Sequence, residues 1–174
     1  MPELIYLGYG SNLHPLRLRQ RVPSCRLLGK VALPGYRLVF HKSGMDDSGK
    51  CDLLETGYPD DIAWGVLFTM AGEDKPALDE AEGPGYLCSD LDVIFDGKPI
   101  EAMTYLARPE RQDPAMVPFD WYRELVLVGA RLHEFPPGYI TEIGQVPTRP
   151  DPDRERARLN EELLGLMRNG DGGG

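Results

Sequence analysis

The chain has 174 residues, a formal net charge of −9, and 41% hydrophobic residues. A chain of this length can form one domain whose hydrophobic core needs no disulfide or metal to stabilise it. The acidic balance argues against nucleic acid as a partner, because phosphate binding depends on Lys and Arg, and no apolar run reaches the roughly 20 residues of a membrane span.

The first quarter of the chain is predicted to be mostly β-strand. Residues 3–9 are apolar and β-prone, which indicates a buried strand. A Gly-Ser-Asn turn at 10–12 follows, and a helix is predicted from Leu13 onward. Two further strands, 25–33 and 36–42, are separated by a Pro-Gly turn pair.

The middle of the chain alternates between strands, one loop and one helix. Residues 43–53 are rich in Gly, Asp and Ser and predict a loop, whereas the uncharged segment 62–70 predicts a strand. A short helix is expected within 72–83. The segments 86–95 and 100–107 predict a hairpin, because an Asp-Gly turn signal lies between them.

The last third of the chain is predicted to be helical between proline-rich connections. Helical spacing runs through 119–135, one further turn is expected at 139–143, and an amphipathic helix covers 153–168. We therefore expect an α+β fold, with a small mixed or antiparallel barrel-like sheet and flanking helices. Residues 1–168 are predicted to form one domain, and residues 169–174 a disordered tail.

The positive charge is concentrated at the N-terminal end. Residues 1–45 hold seven Lys and Arg side chains and one acid, Glu3. This pattern favours either a locally positive region that receives a small anionic ligand or a helix face of solvated arginines. Arg17, Arg19 and Arg21 recur at every second position, so all three cannot lie on one helical stripe.

Several common sites are excluded by their spacing. His14, His41 and His133 have no Cys or paired acid at metal-ligand spacing, so a zinc site is not expected. The turn at 10–12 belongs to neither a phosphate-binding loop nor a dinucleotide fingerprint, so no cofactor is predicted. Its backbone amides can still hold an anion or a carbonyl oxygen, although such a turn can also be only a turn.

Three carboxylates in four residues precede Gly83. Asp79 and Glu82 can share a helix face, whereas Glu80 is expected to point to water. Glu82 ends the helix, where the dipole disfavours its charge, so a pocket there would raise its pKa towards the range of a general base. An acidic surface helix is the alternative interpretation.

These pieces together resemble the γ-glutamylcyclotransferase family. The resemblance rests on motifs in order between about residues 5 and 143. They are Tyr9-Gly10-Ser11-Asn12-Leu13, Trp64-Gly65-Val66, Leu78-Asp79-Glu80-Ala81-Glu82-Gly83 with Tyr86, Tyr105-Leu106, and Tyr122 through Gly129-Ala130 to Pro136 and Tyr139. The spacing from Glu82 to Tyr86 is shorter than in animal members.

The resemblance implies a small barrel-like α+β fold, no cofactor, and release of 5-oxoproline from a γ-glutamyl amine. It implies that Glu82 is the catalytic acid and base. The substrate-binding residues that it implies are Tyr9, Gly10, Ser11, Asn12 and Leu13 in the glutamyl loop, and Tyr86, Tyr105 and Tyr122 around the pocket. Core packing is the alternative role for these tyrosines.

The leaving amine and the assembly stay open at this point. The expected partner is a small γ-glutamyl molecule, and the chain is expected to be a monomer or a homodimer. Three widely spaced cysteines and the absence of a signal-peptide pattern predict a cytoplasmic protein. The alternative function is a non-catalytic module that binds a γ-glutamyl or similar small anionic metabolite.

Overall fold

The structure is a computed structural model that describes residues 2–170. The strands are β1 (Glu3–Gly8), β2 (Arg26–Pro34), β3 (Tyr36–Ser43), β4 (Gly49–Glu55), β5 (Ile62–Ala71), β6 (Tyr86–Phe95) and β7 (Lys98–Ala107). The α-helices are α1 (Pro15–Arg21), α2 (Lys75–Glu82), α3 (Asp120–Leu132), α4 (Pro137–Gly144) and α5 (Arg154–Asn169). Single 3₁₀ turns lie at Gly72–Asp74 and Pro109–Arg111.

Five strands form one curled sheet in the order β2-β5-β1-β7-β6. β1 and β7 are parallel, and the other neighbours are antiparallel, so the sheet is mixed. The predicted hairpin of β6 and β7 is confirmed, and its turn residues Asp96 and Gly97 both have positive φ, as a tight hairpin turn requires. The expected α+β fold with flanking helices is therefore confirmed.

The loop predicted at 43–53 was wrong in its second half, because β4 begins at Gly49 and pairs with β3. The polar residue Asp52 suggested a loop, yet its side chain is buried. Asp52 accepts hydrogen bonds from the His41 ring and from the backbone N–H of Ala107, at 2.7 and 2.9 Å. Tertiary partners thus allow a carboxylate to lie inside a strand.

The Pro34-Gly35 pair turns the chain from one sheet to another. β2 pairs with β5, whereas β3 pairs with β4 in a separate two-stranded sheet. The backbone N–H of Gly35 donates a hydrogen bond to the backbone carbonyl oxygen of Asp61, and Gly35 has a φ of +86°. A positive φ is readily adopted by glycine, which accounts for its place at this corner.

Helices α3 and α5 close one side of the core. Leu125 and Val126 of α3, and Leu164 and Met167 of α5, are fully buried. α5 ends at Asn169, and the rest of the expected tail, residues 171–174, lies outside the described residues. No helix within residues 2–170 is both long enough and apolar enough to cross a membrane.

The carboxylate of Asp151 fastens the start of α5 to α3. It accepts two hydrogen bonds of 2.6 Å from the Arg156 guanidinium and one of 2.9 Å from the Trp121 ring nitrogen. Arg156, and then Trp121, lower the pKa of Asp151 to about 2. Because the pKa is lowered on folding, the stabilisation is present above the unfolded-state pKa of roughly 4 and is lost as the pH falls towards 2.

We expect Asp151→Asn to lower the free energy of unfolding by about 1–3 kcal/mol at neutral pH, since it weakens charged hydrogen bonds. Urea denaturation at pH 7 and at pH 2.5 measures this loss, which should shrink at the lower pH. The exposed Glu161 on the same helix provides the control Glu161→Gln, which should leave the midpoint unchanged. An equal loss at both pH values would contradict the assignment.

Candidate active site

A cavity of about 280 Å³, which includes space open to solvent, lies at the end of β1 and beside the C-terminus of α2. Its lining residues are Tyr6, Tyr9, Gly10, Ser11, Asn12, Cys51, Glu82, Tyr86, Tyr105 and Tyr122. The structure therefore brings together every site residue predicted from the sequence except Leu13. We call this space the inner cavity.

Leu13 lies behind the loop instead of facing the inner cavity. Its side chain is fully buried, and α3 approaches it so closely that a Cβ added to Gly129 would lie 2.5 Å from the Leu13 Cβ. The neighbouring His14 caps α1 by accepting a hydrogen bond from the N–H of Leu16. Leu13 thus anchors the loop to α3, and the position of the loop depends on that packing.

The loop also packs tightly against β4. A Cβ added to Gly10 would lie 2.7 Å from the Cβ and 3.0 Å from the Sγ of Cys51. A side chain at position 10 would therefore push the loop away from the strand. Glycine at this position allows the backbone of the loop to form a wall of the cavity.

Glu82 is the last residue of α2, and its side chain turns into the cavity. The side chain is 15% exposed and accepts a 2.8 Å hydrogen bond from the Asn12 amide. Burial raises the pKa of Glu82, while Arg21, Arg17 and the Asn12 hydrogen bond oppose that rise. The net effect is a raised pKa, which brings the carboxyl group closer to the range of a general base at neutral pH.

The orientation of the Asn12 amide follows from its partners. Arg21 can only donate, and its guanidinium lies 3.2 Å from the Asn12 Oδ1. The Nδ2 group of Asn12 therefore faces Glu82 at 2.8 Å and the hydroxyl of Tyr6 at 3.1 Å. Asn12 thus donates to Glu82, which favours the ionised form of the carboxylate and fixes its direction.

The four predicted tyrosines surround the cavity, but their hydroxyl groups have different partners. Tyr9 donates to the carbonyl of Tyr105, and Tyr105 donates to Asp79, so both hydroxyls connect elements of the scaffold. Tyr86 donates to the carbonyl of Cys51 at 2.7 Å. Tyr122 accepts from the backbone N–H of Cys51 at 2.9 Å. The backbone of β4 therefore sets the positions of two of the four rings.

Two lining residues, Tyr6 and Cys51, were not predicted from the sequence. Cys51 lies in the second half of the segment 43–53, where the sequence predicts a loop, although the apolar residues Cys51 and Leu53 are separated by one polar residue, as in a strand. Tyr6 stood inside an apolar strand where only packing was expected. The sequence signal that could have identified Tyr6 is its position four residues before Gly10, in the apolar segment that leads into the Gly-Ser-Asn turn. Burial raises the pKa of the Cys51 thiol to about 12, so this cysteine stays protonated at neutral pH.

A second, wider cavity continues from the first towards solvent, and we call it the outer cavity. The two share Ser11, Glu82, Tyr86 and Tyr122 in their linings. The other charged residues lining the outer cavity are Arg17, Arg21, Lys42, Lys50, Asp46 and Glu80. Arg17 and Arg21 face it together, whereas Arg19 is exposed. Within residues 2–170, no three His, Cys, Asp or Glu side chains lie close enough to share a metal ion.

The chain is similar to known proteins in sequence and in fold. Residues 63–143 match the AIG2-like family. The human protein named gamma-glutamylcyclotransferase is 26% identical over 97% of this chain and 90% of its own length, and the mouse protein of that name is 24% identical over 96% and 89%.

A solved structure titled gamma-glutamyl cyclotransferase superposes with a TM-score of 0.81 at 23% identity, covering 94% of this chain and 99% of its own. At that identity the superposition shows the shared fold, and the sequence matches extend along the same length. The chain is therefore similar to the γ-glutamylcyclotransferases in sequence and in fold along most of its length.

Proposed function

We propose that the protein is a γ-glutamylcyclotransferase that releases 5-oxoproline from a γ-glutamyl amino acid or a γ-glutamyl amine. The observation that carries this proposal is the largely buried Glu82, whose carboxylate is oriented by Asn12 at the mouth of the inner cavity. The human and mouse relatives bear the same name as this activity. A positioned carboxylate with a raised pKa is suited to proton transfer at neutral pH.

The substrate in this reaction supplies its own nucleophile. Ionised Glu82 takes a proton from the α-ammonium group, and the free amine then attacks the γ-carbonyl carbon. A new C–N bond closes the five-membered ring, and the carbonyl oxygen becomes an oxyanion. Backbone amides of residues 10–12 are suited to hold either that oxyanion or the α-carboxylate.

The same residue completes the reaction as an acid. Protonated Glu82 gives its proton to the leaving nitrogen, and the old C–N bond breaks as the carbonyl group forms again. The ring nitrogen loses its second proton to solvent, so 5-oxoproline, a free amine and one proton result. One group acting first as a base and then as an acid leaves Glu82 ionised for the next turnover. The inner cavity contributes by holding the glutamyl chain folded, which converts the attack into a well-oriented intramolecular step.

Product analysis tests this proposal. The purified protein is incubated with γ-glutamylalanine and γ-glutamyl amines, and 5-oxoproline, glutamate and the free amine are measured by mass spectrometry. We expect 5-oxoproline and the amine in equal amounts. γ-Glutamylalanine acetylated on the α-nitrogen is the matched control substrate, and it should release nothing.

Two other results would contradict the proposal. Free glutamate would mean that water is the nucleophile and that the protein is a hydrolase. A rise in Tm with γ-glutamyl ligands but without any product would favour the non-catalytic binding module.

A further inference from the structure

The two oxygens of the Glu82 carboxylate have different surroundings. Oε1 accepts the 2.8 Å hydrogen bond from the Asn12 amide, and it lies 3.9 Å from Nη1 of Arg21. Within residues 2–170, Oε2 makes no hydrogen bond. The protein therefore holds the carboxylate by Oε1 and leaves Oε2 available to exchange a proton with the substrate.

Arg21 reaches this site from the end of α1. It is the last residue of the helix, a position at which the helix dipole favours a positive charge. Its Nη1 donates to Oδ1 of Asn12 at 3.2 Å, and the distance of 3.9 Å from the same nitrogen to Glu82 is too long for a hydrogen bond. Arg21 thus acts on Glu82 through its charge and through the Asn12 amide, without covering the carboxylate.

The proposed reaction needs Glu82 in two protonation states. Glu82 must be ionised when the substrate arrives, and it must then hold the proton until the amine leaves. Burial raises the pKa of Glu82, and Arg21 opposes this rise more strongly than any other group in residues 2–170. Without a nearby cation, a carboxyl group buried to this degree tends to stay protonated at neutral pH, and it could not act as the base.

The other cations that face Glu82 are Arg17 of α1 and Lys42 of β3, and their effect on its pKa is weaker. Among the described residues, Arg21 is the one cation within 4 Å of the Glu82 carboxylate. In the outer cavity, Lys50 is already paired with Asp46 at 2.8 Å, and Glu80 is exposed. The charge balance at Glu82 therefore depends mainly on Arg21.

The remaining titratable groups that line the inner cavity are neutral. They are Tyr6, Tyr9, Cys51, Tyr86, Tyr105 and Tyr122. Burial raises the pKa of each of them, so none loses its proton in the neutral range. A change in activity between pH 5 and pH 8 can therefore be assigned to Glu82 and not to these side chains.

We propose that Arg21 is a positioning residue of the reaction, which orients the Asn12 amide and whose charge keeps Glu82 ionised and ready to accept a proton at Oε2. This inference rests on the proposed function. It gives Arg21 a part in the proton transfer, and it predicts a change in the pH dependence of the reaction instead of a uniform loss of rate.

The test is the pH profile of kcat/KM for 5-oxoproline release from γ-glutamylalanine. The acidic limb of this profile reports the ionisation of Glu82 in the free enzyme. Arg21→Met removes the cation, so the pKa of Glu82 rises and the limb should move to higher pH by roughly 1–3 units, the usual effect of one nearby opposite charge. The loss in kcat/KM is then about 10- to 10³-fold below the limb and shrinks above it.

Three further variants separate charge from structure. Arg21→Lys keeps the charge, so its acidic limb should return towards that of the wild type. Arg21→Gln removes the charge but keeps a hydrogen-bond donor for Asn12, so it should shift the limb in the same direction as Arg21→Met, and it replaces that variant if Arg21→Met does not fold. Arg19→Met, on the same helix but exposed, should leave the profile unchanged.

Two results would overturn the inference while leaving the proposed function intact. An equal loss of kcat/KM at every pH would show that Arg21 only supports the structure. A limb that moves as far in Arg21→Lys as in Arg21→Met would show that the charge is not what matters. If the wild type releases no 5-oxoproline, the proposed function fails, and the effect of Arg21 on Glu82 is then decided by stability measurements.

Thermal unfolding gives that readout independent of turnover. Glu82→Gln is introduced into the wild type and into Arg21→Met, and Tm is measured at pH 7.5 and pH 4.5. Without Arg21 the folded-state pKa of Glu82 is higher, so ionised Glu82 destabilises the fold more, and Glu82→Gln should raise Tm more in this background at pH 7.5. The extra gain should shrink at pH 4.5, where the carboxyl group is protonated more fully. Equal gains in the two backgrounds at pH 7.5 would contradict the coupling between Arg21 and Glu82.

Discussion

Glu82→Gln is expected to lower kcat/KM for 5-oxoproline release by roughly 10²- to 10⁴-fold, the usual contribution of one general acid–base group. Gln has nearly the same shape as Glu, and its carbonyl oxygen can still accept the hydrogen bond that Asn12 donates. The variant therefore keeps the geometry of the site but cannot take the proton from the α-amine. Initial rates from product analysis measure the loss.

Glu73→Gln is the matched control for this variant. Glu73 is exposed in the 3₁₀ turn that leads into α2, and it lines neither cavity. We expect the Glu73→Gln variant to release 5-oxoproline at the rate of the wild type. If Glu82→Gln retained most of the activity, Glu82 would not be the proton carrier.

The raised pKa of Glu82 also predicts a pH-dependent effect on stability. A carboxyl group whose pKa is raised on folding stabilises the protein below its unfolded-state pKa, and this stabilisation is lost as the pH rises through the folded-state pKa. Glu82→Gln removes the buried charge, so its Tm should exceed that of the wild type at pH 8. The difference should shrink at pH 4.5, and a difference independent of pH would contradict this account.

Gly10→Ala is expected to damage both the fold and the activity. The added Cβ would lie 2.7 Å from the Cβ of Cys51, and because both atoms are close to the backbone, the loop and β4 must separate. Overpacking of this kind costs about 1–3 kcal/mol. A shift of about 1 Å in the cavity wall can lower kcat/KM on the order of 10²-fold. Urea denaturation and initial rates measure the two effects.

Gly165→Ala is the control for the effect of replacing a glycine. A Cβ at this position in α5 meets nothing within 4 Å, so the gain in helix propensity of about 0.5–1 kcal/mol is expected to stabilise the protein. If Gly10→Ala behaved like this control, the close approach of the loop to β4 would not be a requirement of the site.

The sequence alone was sufficient for the parts of the fold that depend on local patterns. The hairpin of β6 and β7 follows from alternating strands and an Asp-Gly turn, and α5 follows from its amphipathic spacing. The motif residues Tyr9 to Asn12, Glu82 and the three later tyrosines were also available from the sequence. Their order along the chain carried the resemblance to the family, because motif recognition needs neighbouring residues only.

Tertiary structure decided what each of these residues touches. Whether Glu82 would be a surface acid or a largely buried one depended on where the end of α2 packs, and α2 lies about 70 positions from the Asn12 loop. β4 was missed because Asp52 becomes acceptable in a strand only through partners that are distant in sequence, such as Ala107. The N-terminal arginines also have different environments because of tertiary packing. Arg17 and Arg21 line a cavity assembled from several elements, whereas Arg19, two residues from each, faces solvent, and charge patterning contains no information about that enclosure.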